Sequence, residues 1–184
     1  IISVIIASVG IILYVTLRFE MKMAIGAIVA LLHDAFMVVA FFSILRLEVD
    51  LNFIAAILTI IGYSVNDTIV TFDRIRELMQ KRKRIREYRE LEEIVNKSIR
   101  QVLSRSINTS LTTLFPVVTL LLMGAEAINN FSIAMLIGLI AGVYSTLVIA
   151  AQLWLVWKGK ELKKKGGIIT YKEKKKNNTG DAIV

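Results

Sequence analysis

The sequence predicts an all-α membrane protein built as a bundle of five transmembrane helices. Hydrophobic residues make up 55% of its 184 residues, and the mean hydropathy is +0.64. These apolar residues come in blocks, several of them near the ~20 residues that a helix needs to cross a bilayer. Strands of a membrane barrel would be shorter and would alternate polar with apolar residues. The blocks do not alternate in this way, so the pattern favours helices.

The five blocks define one bundle, with a loop and a tail that are both rich in basic residues. The bundle covers residues 1–157, and its predicted spans are 1–17, 23–45, 51–72, 104–123 and 131–157. A cytoplasmic loop is predicted over 73–103, and a Lys-rich cytoplasmic tail over 158–184. Within the loop, apolar residues at helical spacing from Leu91 to Leu103 predict an interfacial amphipathic helix that leads into the fourth span. The first block has no flank on its outer side and no basic signal-peptide start. We therefore expect that the helix over residues 1–17 is cut at its start and that the full protein has more sequence before it.

Lys and Arg residues lie almost entirely on one side of the predicted membrane. Of the 23, eleven fall between Asp73 and Arg105, nine fall from Lys158 onward, and Arg46 alone lies in the outer connections. Loops rich in Lys and Arg are normally cytoplasmic. The pattern thus predicts a multi-pass membrane protein whose third connection and C-terminus both face the cytoplasm.

The net charge of +8 raises the alternative of nucleic-acid binding. The basic run at residues 81–86 is instead predicted to be a topology signal that faces anionic lipid. Specific contact with RNA or the ribosome is its alternative, but no nucleic-acid partner is expected. The chain has no Cys and one His, which excludes thiolate and histidine-rich metal sites. Neither a metal nor a cofactor is predicted.

Asp67 lies near the middle of the third span, where a charged side chain costs about 3 kcal/mol on insertion scales. Such residues mark functional sites by default, although a carboxylate that only bonds a neighbouring helix is the alternative. Residues three, four or eight positions from Asp67 share its helix face. Those positions hold Thr59, Tyr63, Ser64 and Thr71.

The fourth span carries a second polar stripe that could face the first. Its members recur at helical spacing: Arg105, Asn108, Thr109, Thr112 and Thr113. Pro116 lacks an amide hydrogen, so the carbonyl of Thr112 loses its helical bond. If the stripes face each other, Asp67 and Arg105 border one polar seam.

His33 and Asp34 in the second span are further candidates. Here a purely structural hydrogen bond is as good an explanation as a function. Adjacent residues on a helix point about 100° apart, so we do not expect these two side chains to pair. The last span carries a small residue at every fourth position from Ala134 to Ala150, which is typical of close helix packing.

Three stretches of this sequence resemble the SecF family of the bacterial protein-export machinery. They are GYSVNDTIVTFDRIRE at 62–77, SRSINTSLTT at 104–113 and IGLIAGVYS at 137–145, and the LLHD sequence at 31–34 also fits. The resemblance covers residue 1 to about Trp157, and the first motif is highly specific. Asn129 and Asn130 depart from the family pattern, and Asn108 is more polar than that pattern suggests.

The resemblance implies half of an RND-type transporter, without its first helix and its periplasmic domain. The family is held to use the proton gradient to promote protein export beside a SecY-type translocon, together with its partner SecD. The exported polypeptide would be contacted through the missing periplasmic domain. Carried over by motif, Asp67 matches the proton-relay carboxylate and Arg105 the basic residue near it. The supporting polar path would consist of Ser64, Asn66, Thr71, Asn108, Thr109 and Thr113.

Two other functions remain open at this point. One is an RND-type exporter of lipids or small molecules with the same helix plan. The other is a scaffold for the translocon that moves no protons. The sequence has no nucleophile motif and no nucleotide-binding loop, so an enzyme is not expected.

Overall fold

The computed structural model describes residues 2–82, 84–164 and 169–170, and its elements are almost all helical. Two strands, β1 (Arg84–Ile85) and β2 (Ile169–Thr170), pair antiparallel. A π-helical segment (Ser145–Ala150) connects two of the helices without a break. In chain order the α-helices are α1 (Ile2–Arg18), α2 (Met21–Leu45), α3 (Leu51–Arg82), α4 (Tyr88–Met123), α5 (Asn129–Tyr144) and α6 (Ala151–Lys164).

Four helical stretches among the described residues are long and apolar enough to cross a membrane. They are α2, α3, α4 and the continuous stretch Glu126–Lys163 that contains α5 and α6. Helix α1 is equally apolar but has only 17 residues, about 26 Å of helix, and it packs against α2 and α3. The protein is therefore a helical membrane bundle, as the sequence predicts.

The segment 73–103, predicted as a cytoplasmic loop with an amphipathic helix from 91 to 103, is helical over most of its length. Helix α3 continues to Arg82, and α4 begins at Tyr88. Side-chain pairs at helical spacing support the extension of α3, such as Lys81 Nζ to Glu77 Oε1 at 2.7 Å. The first half of α4 buries Leu91 and Val95 in the same apolar cluster as residues of α3 and α6. The extended helices therefore pack on each other.

The last helical stretch forms the centre of the bundle, and α4 lies at its edge. More than half of the apolar window of Glu126–Lys163 is buried (56%), against 11% for α4. The predicted small-residue face is buried throughout, from Ala134 to Ala150. At Gly138 an added Cβ would overlap the side chain of Ile60, so only glycine allows α5 this close to α3.

Ion pairs tie the helix ends together at the predicted cytoplasmic side. Arg18 Nη2 lies 2.6 Å from Asp73 Oδ2 and joins α1 to α3. The buried Lys158 of α6 lies 3.5 Å from carboxylate oxygens of both Glu20 and Glu161. Of the predicted tail, residues 158–164 continue α6 and 169–170 form β2, while 165–168 and 171–184 lie outside the described residues.

Candidate functional site

Asp34 is a fully buried carboxylate at the meeting point of α2, α3 and the π-helical segment. Its Oδ2 accepts hydrogen bonds from Ser64 Oγ at 2.6 Å and from Ser145 Oγ at 2.9 Å. Gly142 lies beside this cluster, and a Cβ there would be in ordinary van der Waals contact with it, 3.8 Å from Asp34 Oδ2. A buried polar group is tolerated when it is hydrogen-bonded, and two hydroxyl groups from two other elements meet that need here. Asp34 is thus central to the helix packing.

The expectation that His33 and Asp34 would not pair is wrong. His33 Nδ1 lies 3.3 Å from Asp34 Oδ1, although their Cα–Cβ bonds diverge as expected for neighbours on a helix. The imidazole ring is long enough to reach around the helix surface toward the carboxylate. His33 also lies beside the ring of Tyr144, with 6.2 Å between the ring centroids.

Asp67 lies on α3, close to α4, and is partly buried. Its Oδ1 accepts a hydrogen bond from Ser106 Oγ at 2.6 Å. Its Oδ2 is buried and has no hydrogen-bond partner among the described residues. Oδ1 is therefore held in place by a hydrogen bond, whereas Oδ2 lacks a donor among the described residues.

Ser106 is a site residue that the sequence patterns did not single out. The predicted stripe on α4 follows the helix face that begins at Arg105, whereas the face that meets Asp67 is rotated by one residue. Ser106 and Ser110 are four residues apart and therefore share a face, and this spacing was the available signal. Periodicity alone could not decide between two polar faces that overlap.

A small cavity beside Asp67 brings together several predicted site residues. Its volume is about 20 Å³, and Ser64, Asn66, Asp67 and Thr109 all contribute to its wall. A cavity needs roughly 10–15 Å³ and a few polar partners to hold one water molecule. This one meets both conditions.

Other predicted residues of the polar path lie outside this cavity. Thr113 Oγ1 is 3.0 Å from Tyr63 Oη, which links α4 to α3. Thr71 is buried one turn beyond Asp67, and its hydroxyl has no partner among the described residues. Asn108 is exposed and does not line the cavity. A further hydroxyl contact, Thr68 Oγ1 to Thr146 Oγ1 at 3.0 Å, joins α3 to the π-helical segment.

Arg105 is exposed, and the structure shows no ion pair between it and Asp67. It lines a separate cleft of about 360 Å³ with Asp73, Arg74 and Glu77, toward the basic ends of α3 and α4. Its charge is nevertheless within Coulombic range of Asp67. In this cleft the hydrogen bonds from Lys81 and Arg74 hold the pKa of Glu77 below its usual value.

Metal binding finds no support among the described residues. No group of three or more His, Asp or Glu side chains there is arranged to hold a metal ion.

The fold and the buried carboxylates can be compared with known proteins. Residues 1–160 match the family model of the protein export membrane protein SecD/SecF, C-terminal. The chain belongs to the SecD/SecF family. Its resemblance to SecF sequences, inferred above from three motifs, is confirmed.

Two relatives illustrate the extent of the match. The protein translocase subunit SecDF of Bacillus subtilis is 66% identical over 162 residues, which are 88% of this chain and 22% of that protein. The protein translocase subunit SecF of Alicyclobacillus acidocaldarius is 50% identical over 88% of this chain and 52% of its own length. This SecD/SecF chain thus spans about half the length of the SecF relative.

Solved structures have the same fold. SecDF from Thermus thermophilus, described as a translocon-associated membrane protein, is 42% identical with a TM-score of 0.72. That match covers 80% of this chain and 20% of the other. A SecDF structure in a super-membrane-facing form has a TM-score of 0.76 at 39% identity and covers 84% of this chain and 20% of the other.

Proposed function

We propose that this chain is the membrane part of an accessory subunit of the Sec translocon that uses the proton gradient to promote protein export. The observation that carries the proposal is Asp67. It lies in the membrane bundle of a SecD/SecF family member, is held by Ser106 on one oxygen, and leaves its other oxygen buried and unpartnered in the described structure. Protons are the coupling ion, and no covalent step is involved.

Asp67 takes up and releases the proton in this proposal. A carboxylate inside a membrane is costly, and such residues commonly mark proton relays. The water-sized cavity supplies a route to Asp67 through Ser64, Asn66 and Thr109. Arg105 modulates the charge on Asp67 from the neighbouring cleft, because the two groups interact without forming an ion pair. The polar path to Asp67 is supported at its edges by Thr71, Thr113 and Asn108.

The partners implied by this proposal are a SecD-type half, a SecY-type translocon and the exported polypeptide. The relatives are named as translocase subunits, and one structure is described as translocon-associated. The sparsely buried helix α4 offers an apolar face within the membrane for a neighbouring helix or for lipid. The ends of α3 and α4 that join each other carry many Lys and Arg residues and lie on the cytoplasmic side, as does the C-terminus.

The test measures protein export in the native cells when their full-length protein carries the Asp67→Asn substitution. We expect export to fall at least tenfold, while the protein stays in the membrane at the wild-type level. The amide of Asn keeps the size of the side chain and can still accept from Ser106, but it does not carry the proton. Asp50→Asn, which changes a carboxylate outside the bundle, is the matched control.

The same experiment separates the two rival functions. Unchanged export with Asp67→Asn, together with unchanged lipid or small-molecule transport, would leave a scaffold that moves no protons. Normal export that is accompanied by loss of lipid or small-molecule transport would favour an RND-type exporter.

A further inference from the structure

We propose that Asp34 is a second proton-carrying carboxylate, linked to Asp67 through the Ser64 hydroxyl and a water molecule in the cavity that Ser64 and Asp67 both line. The inference rests on the proposed proton-coupled function and adds a second site to it. Asp34 is fully buried, yet the proposed role of Asp67 does not use it. The geometry around Ser64 connects the two carboxylates.

Ser64 belongs to both sites. Its Oγ lies 2.6 Å from Asp34 Oδ2, and the same residue lines the cavity that Asp67 also lines. No other described residue whose hydroxyl bonds Asp34 lines that cavity, because Ser145 approaches from the π-helical segment. A serine hydroxyl both donates and accepts hydrogen bonds, so it can take a proton from one side and release its own on the other.

The transfer conserves every atom and charge. With Asp34 ionised, the Ser64 hydroxyl donates to it. When Asp34 is protonated, the hydroxyl turns to donate to the cavity water and accepts from Asp34, so that Ser64 Oγ takes the proton of Asp34 while it passes its own proton to the water. That water in turn passes a proton to the ionised Asp67. At the end Asp34 is ionised, Asp67 is protonated, and the serine and the water are as they were. The proposed step requires the cavity to hold one water molecule, and its volume of about 20 Å³ is sufficient.

The charged groups around Asp34 suit a group that changes its protonation state. Within the described residues, His33 lies 3.3 Å from Asp34, and Arg105 is within Coulombic range of Asp67. Tyr63 lines the cavity together with Asp67. Neither carboxylate has a permanent cation as an ion-pair partner there. A carboxylate that is buried with a permanent cation would be held ionised, whereas this pair can share a proton.

Two serine variants test the link, because both remove one donor from the same oxygen of Asp34. Ser64→Ala also breaks the connection to the cavity, whereas Ser145→Ala does not. We expect Ser64→Ala to lower export at least fivefold, and we expect Ser145→Ala to cause a clearly smaller loss, because it removes a donor to Asp34 but keeps the connection to the cavity. Equal effects of the two variants would mean that both serines only stabilise Asp34, and would overturn the proposal.

Infrared difference spectra at acid and alkaline pH provide a readout that does not depend on export. The purified protein should show the carbonyl bands of two protonated carboxylic acids inside the bundle. Asp34→Asn should remove one band and Asp67→Asn the other, and each should shift the pH at which the remaining band appears. A spectrum that Asp34→Asn leaves unchanged would overturn the proposal.

Failure of this inference is distinguishable from failure of the proposed function. If Asp67→Asn abolishes export while Asp34→Asn is inserted normally and exports as wild type, only the second carboxylate is refuted. If Asp67→Asn exports normally, the proposed function itself is refuted. Asp34→Glu, which keeps an acid at the position, should restore part of the export that Asp34→Asn loses.

Discussion

Serine hydroxyls are the main partners of both carboxylates in this bundle. Ser64 and Ser145 donate to Asp34, and Ser106 donates to Asp67. A hydroxyl is small enough to fit between closely packed helices and turns freely to suit either protonation state of its partner. A Lys or Arg at these positions would instead hold the acid permanently ionised.

Ser106 should therefore matter for the behaviour of Asp67. We predict that Ser106→Ala lowers export by about twofold to tenfold, because a typical hydrogen bond contributes roughly 0.5–1.5 kcal/mol net. The loss should be smaller than that of Asp67→Asn, since the acid itself remains. Export assays at matched protein levels measure the difference.

Ser104→Ala is the control for this prediction. Ser104 lies two residues earlier on α4 and is exposed, so its hydroxyl makes no contact with the carboxylate. Ser106 would be unimportant to the site if both alanine variants exported equally well.

Helix α3, which carries both Ser64 and Asp67, begins at a side-chain cap. Asp50 precedes it, and its Oδ1 accepts from Phe53 N at 2.8 Å. This backbone hydrogen bond, joined by a weaker one from Asn52, holds the pKa of Asp50 below its usual value. The cap fixes where α3 starts, and so contributes to the placement of Asp67 about five turns later.

The cap makes a specific contribution to stability that depends on pH. Because its pKa is lowered in the folded protein, Asp50 stabilises the fold above its unfolded pKa of about 3.9. The contribution is lost as the pH falls through the lower, folded value. We predict that Asp50→Ala lowers the thermal unfolding midpoint of the purified protein at pH 7 and removes this acid-dependent loss.

Asp50→Asn separates the cap from its charge. Asparagine also caps helices well, so this variant should keep the midpoint at pH 7 near that of wild type and respond less to acid. A midpoint for Asp50→Ala equal to that of wild type at pH 7 would show that the cap contributes nothing.

The π-helical segment is the second element whose geometry bears on the site. It begins at Ser145, the residue that donates to Asp34, and contains Thr146, which bonds Thr68. A π-helical turn widens the helix and changes the register of the residues after it. As a result, the hydroxyl groups of the neighbouring residues Ser145 and Thr146 bond two different helices, through Asp34 on α2 and Thr68 on α3.

For the whole molecule, the main property to test is its orientation in the membrane. The basic residues of α3 and α4 beyond the membrane predict a cytoplasmic position for that end of the bundle. The 3₁₀ turn Glu126–Ile128, which carries no Lys or Arg, should then face outward.

Cysteine labelling tests this orientation, since the sequence itself has no cysteine. Glu92→Cys and Glu126→Cys replace the same residue type at exposed positions on opposite ends of the bundle. In a background without other cysteines, a membrane-impermeant maleimide should label Glu126→Cys in intact cells. It should reach Glu92→Cys only after the cells are opened. Labelling of Glu92→Cys in intact cells would contradict the predicted orientation.

Much of the fold could be predicted from the sequence because the bilayer imposes simple constraints. Span length, apolar content and the asymmetry of Lys and Arg are local properties, and they led to the membrane class and the helical bundle. Asp67 was identifiable for the same reason, since an acid inside an apolar span is conspicuous by composition alone. The extension of α3 beyond residue 72 was missed, because a basic stretch resembles a loop until its side chains find partners on a neighbouring helix. The apolar spacing from Leu91 to Leu103, in contrast, does indicate the helix that leads into the fourth span.

Only the tertiary structure decided which side chains meet around the acids. Periodicity places residues on helix faces but does not say how far each helix is rotated toward its neighbour. A rotation of one residue separates Ser106, which bonds Asp67, from Arg105, which does not. Likewise, Asp34 is central only because Ser64 and Ser145 come from distant parts of the chain. Packing decides such contacts, and their partners are too far apart in the sequence for any local pattern to indicate them.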